Sequence, residues 1–218
     1  MKSQSISPLV ENLGEFAIDQ IISDDYALLK DFPMLNSVIN TALLYKSVRD
    51  RMFMKKLERF LKNMSSVEPS TKEKIRAFAK KSSADKVSEM VISVIDNSLS
   101  HEKPEILASV FLALVDSKVS TKDFEVIVEA IDRAYTTELI SFLDAHIDIA
   151  MRDIHSLKRM NISSLIYTPL LTRVEPRRTE MKTTRVATGL VDLYSISRVG
   201  SEFFDAYHYG LSLRNTSG

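Results

Sequence analysis

Hydrophobic residues recur every three or four positions over most of this 218-residue chain, which is the spacing of one face of an α-helix. Leu9, Leu13, Phe16, Ala17 and Ile21 mark a first helix. Beyond Pro33 a second stripe runs through Met34, Leu35, Val38, Ile39, Ala42 and Leu43. It continues through Tyr45, Val48, Met52, Phe53, Leu57, Phe60, Leu61 and Met64. The stripe predicts one long helix, or two joined near Lys46, ended by Glu68-Pro69. Ser70 and Glu73 have the spacing of a capping box, in which the serine oxygen accepts from first-turn N–H groups and the glutamate reaches back. Ser82-Ser83 predicts a break before a helix carrying Val87, Met90, Val91, Val94 and Ile95. Pro104 suits the first turn of the next helix, where its missing N–H costs little. Ile106, Leu107, Val110, Phe111, Leu114 and Val115 are the expected buried face of that helix. Ser120 and Asp123 are placed to cap another, with Phe124, Ile127, Val128, Ile131 and Tyr135 inward. Leu139, Ile140, Leu143 and Ile147 mark the last of the series. Short polar connections between such helices favour antiparallel neighbours, hence a bundle over residues 1–150.

The pattern changes near Asn161. Residues 162–197 are rich in Thr, Val, Leu and Tyr and hold Pro169, Pro176 and Gly189. The reading is a helix over 154–160, a strand near 170–174, an exposed turn, a strand near 190–196, and a closing helix with Gly200, Phe203, Phe204 and Tyr207. That order resembles half of a winged-helix module. The expected fold is therefore mainly α: a helical bundle over 1–150 and a small C-terminal α+β, winged-helix-like module over 151–218.

Glycine usage sharpens the functional picture. Only five glycines occur, and none lies between Glu15 and Thr188. Phosphate loops, dinucleotide fingerprints and nucleophile elbows all need closely spaced glycines, so none can be built here. The chain also has no cysteine, which removes disulfides, thiolate metal sites and cysteine nucleophiles. The absence of cysteine fits a reducing compartment, and the expected location is the cytoplasm. The longest charge-free apolar stretch, residues 32–45, is interrupted by Pro33, Asn36, Ser37, Asn40 and Thr41. It is shorter than the roughly 20 residues a spanning helix requires, so a membrane partner is not expected.

The net charge is zero but unevenly placed: −4 over residues 1–33, +8 over 34–82, −8 over 83–148 and +4 over 149–218. Adjacent basic and acidic blocks can attract within one fold or between two copies of the chain, and the plain alternative is a set of solvated helix faces. Within the basic block, Arg49, Lys55, Lys56 and Arg59 lie on a helix with an apolar opposite face. They are a candidate surface for phosphates, anionic lipid or an acidic partner. A second basic cluster, Arg173, Arg177, Arg178, Lys182 and Arg185, falls between the two expected strands. A wing that contacts DNA phosphates has this composition, and so does an ordinary loop. Asp144, His146, Asp148, Asp153 and His155 cluster in sequence, but no His-Glu-x-x-His motif is present. The expected reading is an acidic solvated helix, with no metal and no cofactor. No serine stands in a recognisable nucleophile setting, although a site assembled from distant residues leaves no sequence trace.

Residues 28–61, LLKDFPMLNSVINTALLYKSVRDRMFMKKLERFL, and residues 101–124, HEKPEILASVFLALVDSKVSTKDF, resemble segments of bacterial helical proteins of uncharacterised function. The run YSISRVG at 194–200 resembles the strand-to-helix end of winged-helix regions. The resemblance implies an accessory or mobile-element gene product, with a link to phage defence, and it carries no catalytic residues. The leading expectation is a non-enzymatic interaction protein acting through protein–protein contacts, with another protein or with itself as a homodimer. The alternative is a DNA-binding regulator using the C-terminal module. A hydrolase with a dispersed site is the third.

Overall fold

A computed structural model describes residues 32, 37, 47–144, 162–174 and 193–215. Within them lie seven α-helices, one 3₁₀ turn and one two-stranded antiparallel sheet. The helices are α1 (Val48–Ser65), α2 (Pro69–Ala79), α3 (Ala84–Asn97), α4 (Glu102–Val115), α5 (Thr121–Arg133), α6 (Thr136–Asp144) and α7 (Arg198–Asn215). The 3₁₀ turn is Leu165–Tyr167, and the strands are β1 (Leu171–Val174) and β2 (Leu193–Ile196), with Leu171 opposite Ile196. No described helix is long and apolar enough to cross a membrane.

Local chemistry sets several of the ends. Ser47 caps α1 in a capping box with Asp50, which places a helix start beside Lys46. The expected box at Ser70 and Glu73 does not form: Glu68 is the N-cap of α2 and Pro69 takes the first position, so Ser70 already lies inside the helix. Ser120 accepts from the Asp123 N–H at 3.1 Å and caps α5, as its spacing predicts. α4 ends in two bonds, Ser117 N–H to the Leu114 carbonyl and Lys118 N–H to the Ala113 carbonyl. This is the Schellman arrangement, with Ser117 at φ 58° where glycine is usual.

α4 is the centre of the molecule. Twelve of its fourteen residues are buried, including Ala108, Ser109, Leu112 and Ala113, so it is enclosed on every side and not on one face alone. α1, α2, α3, α5 and α7 all pack on it. Phe111 sits edge-on against Phe32, Phe60, Phe78 and Phe124, with ring centroids 5.7–6.3 Å apart. Tyr135 departs from its expected inward place. α5 stops at Arg133, and Tyr135 lies in the link to α6 with 64% of its surface exposed.

The C-terminal elements join the same core. Leu165, Leu170, Phe203 and Ala206 belong to one apolar cluster with the residues of α1–α6. Two glycines permit the closeness. A Cβ on Gly210 of α7 would lie 2.0 Å from the Ser109 carbonyl oxygen of α4, and one on Gly200 would lie 2.2 Å from the Leu170 carbonyl oxygen. The expected helix at 154–160 and the boundary at 150 lie outside the described residues.

Candidate functional site

The opposed charge blocks meet inside the molecule. Arg49 pairs with Asp96 at 2.5 Å, Arg59 with Glu105 at 2.8 Å, and Lys74 with Asp116, each a cation of the basic block on an acid of the acidic one. Most of these side chains are well exposed, so each pair contributes only about 0–1 kcal/mol. Lys56 leaves the basic face altogether: it is 5% exposed, and its ammonium donates to the carbonyls of Asp96 and Ser98, both at 2.8 Å. Burial lowers its pKa, while the negative end of α3 keeps the cation in place. Lys103 does the same at the end of α5, donating to the Asp132 carbonyl at 2.7 Å. Lys55 is exposed. Of the second basic cluster, Arg173 is exposed on β1 opposite Tyr194, and Arg177, Arg178, Lys182 and Arg185 lie outside the described residues.

A cleft of about 300 Å³ opens between α4, α6 and α7. Glu102, Glu105 and Ile106 come from α4, Ile140, Leu143 and Asp144 from α6, and Tyr207, Leu211 and Arg214 from α7. Each helix contributes residues three or four positions apart, because that spacing places side chains on one face. Four aliphatic side chains form the floor. Three carboxylates face one guanidinium, and among the described residues no histidine, serine or lysine lines the space.

Hydrogen bonds fix the walls. Glu138 of α6 is 2% exposed and accepts from Ser163 Oγ at 2.6 Å, from the N–H and Oγ of Ser164 at 2.8 Å each, and from the Leu165 N–H at 3.2 Å. Burial pushes this carboxyl up, but the four donated bonds outweigh burial and hold it below the usual glutamate value. Ser164 Oγ also accepts from the Tyr135 N–H at 2.8 Å, so the 3₁₀ turn clamps the start of α6. Thr136 Oγ1 donates to Ser100 Oγ at 3.0 Å, tying that start to the approach to α4. At the other end His208 bonds the Leu143 carbonyl at 3.1 Å, and Phe142 stacks on Phe203.

α7 is held along its length. Arg198 donates to Asp123 at 2.8 Å and also pairs with Glu202. The Tyr209 hydroxyl donates to Asp116, which Lys74 also reaches. These two donors hold the Asp116 carboxyl low, and the same bond pushes the Tyr209 phenol up to about 12. Arg214 donates to Asn63 Oδ1 and, at 2.7 Å, to Ser109 Oγ, both neutral acceptors, and burial lowers its pKa. Tyr207 and, more weakly, Glu105 act against that lowering without overcoming it.

Sequence reasoning did not assemble this site. Asp144 stood out only beside His146, Asp148, Asp153 and His155, which lie outside the described residues. Glu102, Glu105, Tyr207, Leu211 and Arg214 follow ordinary helical spacing, and nothing in that spacing tells which three helices converge. Compared with family models, curated proteins and solved structures, the chain matches none.

Proposed function

We propose that this protein is a non-enzymatic interaction module that takes a segment of a protein partner in the cleft between α4, α6 and α7. The observation that carries the reading is the lining: an apolar floor and a carboxylate rim built from the stripes of three packed helices. Grooves between helices are a recurrent way to bind an extended or helical segment, with apolar anchors supplying affinity and rim charges supplying selectivity. The fate of the basic residues supports it. Arg49 and Arg59 are engaged with acids, and Lys56 is buried on helix-end carbonyls, so that among the described residues Lys55 is the member of that face without such a tie.

The test is selection of random peptides against the full chain, with a Leu211→Arg variant as counter-selection. Leu211 lines the cleft and lies outside the apolar core, so the substitution plugs the space without opening the core. Peptides that bind wild type and lose at least roughly tenfold on the variant are the expected result, tenfold being about 1.4 kcal/mol. Binders indifferent to the plug overturn the assignment of the cleft.

A DNA-binding regulator is the second reading. It is favoured by the antiparallel pairing of β1 and β2 on either side of the sequence holding Arg177, Arg178, Lys182 and Arg185, with Arg173 exposed on β1. A salt titration of duplex DNA binding separates the two. Phosphate contacts steepen the salt dependence, and replacing Arg177, Arg178 and Lys182 by Ala flattens it by about one unit of slope per contact. No affinity at low salt removes this reading.

A further inference from the structure

Resting on the interaction reading above, we propose that the partner segment is a basic amphipathic helix that seats one arginine between Glu102 and Asp144 and covers the apolar floor with leucine-type side chains. The shape argument comes first. Three helices present one face each around one space, α4 and α6 through residues at i, i+3 and i+4 and α7 through residues at i, i+4 and i+7, which is the imprint that a fourth helix fills by ridges into grooves. The size argument limits what enters. About 300 Å³ is at the lower end for small-molecule sites and suits one long side chain with its neighbours.

Charge selects the type of side chain. Three carboxylates line the cleft against Arg214, whose hydrogen bonds run to Asn63 and Ser109. Glu105 is taken by Arg59 at 2.8 Å. Among the described residues no cation pairs with Glu102 or Asp144. An arginine answers both halves of the lining: its aliphatic stem lies along Ile106, Ile140 and Leu211, and its planar head donates to more than one carboxylate oxygen. A polyanion meets repulsion at the same rim. Arg59 sits beside this arrangement as an internal competitor, since it already satisfies an acid that an incoming guanidinium can use.

The experiment titrates the full chain, by calorimetry, with a helical peptide carrying one central arginine and leucines three and four residues to either side. A second peptide replaces the arginine by citrulline, which keeps the shape and removes the charge. The arginine peptide is expected to bind about tenfold more tightly, the scale of one charge-assisted pair. Glu102→Gln combined with Asp144→Asn should erase that difference. Arg59→Gln should tighten the arginine peptide a few-fold by releasing Glu105, and unchanged or weaker binding overturns the competitor role. Glu102 and Asp144 are exposed, so thermal melts of these variants are expected to match wild type. Equal affinity for the two peptides, sensitive to Leu211→Arg, overturns the charge argument and leaves the interaction reading standing. Failure of both peptides where random selection has yielded cleft-dependent binders overturns the basic-helix partner alone. Failure of both experiments removes the cleft itself.

Discussion

Two residues show how backbone requirements decide what a position tolerates. Gly210 lies inside α7, where alanine would ordinarily improve the helix by about 1 kcal/mol. Here a Cβ would meet the Ser109 carbonyl oxygen at 2.0 Å, and that oxygen belongs to the central helix and cannot swing aside. Gly210→Ala is therefore expected to destabilise by about 1–3 kcal/mol, the cost of forcing α7 from α4. A melting temperature at or above wild type would show that the helices do not approach this closely. Ser117 is the opposite case. It holds a left-handed φ of 58° after α4, a conformation that costs a side-chain-bearing residue about 1–2 kcal/mol. Ser117→Gly should stabilise by roughly 0.5–1 kcal/mol once the greater freedom of glycine in the unfolded chain is allowed for, read from urea midpoints at unchanged slope.

At the scale of elements, α4 and α6 make different demands. Phe111 is the ring on which the helices converge, edge-on to phenylalanines from α1, α2 and α5 and to Phe32. Phe111→Ala should cost about 3–5 kcal/mol, transfer and cavity terms together. A small effect in chemical denaturation would contradict the enclosed place of α4. α6 is short and is held by Glu138, so its stability follows pH. The folded carboxyl lies below the ordinary glutamate value of 4.5. Its contribution is full above that value and is lost as pH falls through the lower folded value. Glu138→Gln should lower stability at neutral pH and flatten the acid limb in that window. Stability measured from pH 7 to pH 3 for both proteins checks this. An unchanged acid limb would mean that Glu138 does not clamp the 3₁₀ turn as its four hydrogen bonds imply. The exposed side chains of Tyr135 and Tyr167 flank this clamp without taking part in the core.

For the whole molecule, one apolar cluster runs from Phe32 through α1 to Ala206 in α7 and includes Leu170 beside the sheet. Elements sharing a core unfold together. Calorimetry should give one transition, with its van't Hoff enthalpy equal to the measured heat. Two separated transitions would show that 1–150 and 151–218 behave as independent units. The charge blocks act at this scale as well. Arg49–Asp96, Arg59–Glu105 and Lys74–Asp116 join early helices to later ones within one copy of the chain. They orient the helices more than they stabilise them, since most of these side chains are hydrated.

How much of this was legible follows from the range of the forces involved. The helix start at Ser120, the place of Pro104 in the first turn of α4, the break at Ser82-Ser83, the buried places of Phe111 and Leu114, and the strand–strand–helix order after Asn161 were readable from the sequence, because caps, prolines and periodicity act within a few residues. The cap at Ser70 was misread because Glu68 and Pro69 begin the helix first, a competition between neighbouring starts that spacing alone does not rank. Tyr135 was misplaced because a helical stripe does not announce its last turn. Lys56 and Lys103 could not be recognised as buried, since the carbonyls that hold them lie about 30–40 residues away along the chain. The same holds for the cleft. Its side chains come from three helices whose order around α4 is chosen by packing, and by the glycine that lets α7 approach Ser109. By itself the sequence determined which segments are helices and which faces of them are apolar. Only the tertiary structure decided which faces meet, because burial is non-directional and close packing selects among the arrangements that satisfy it.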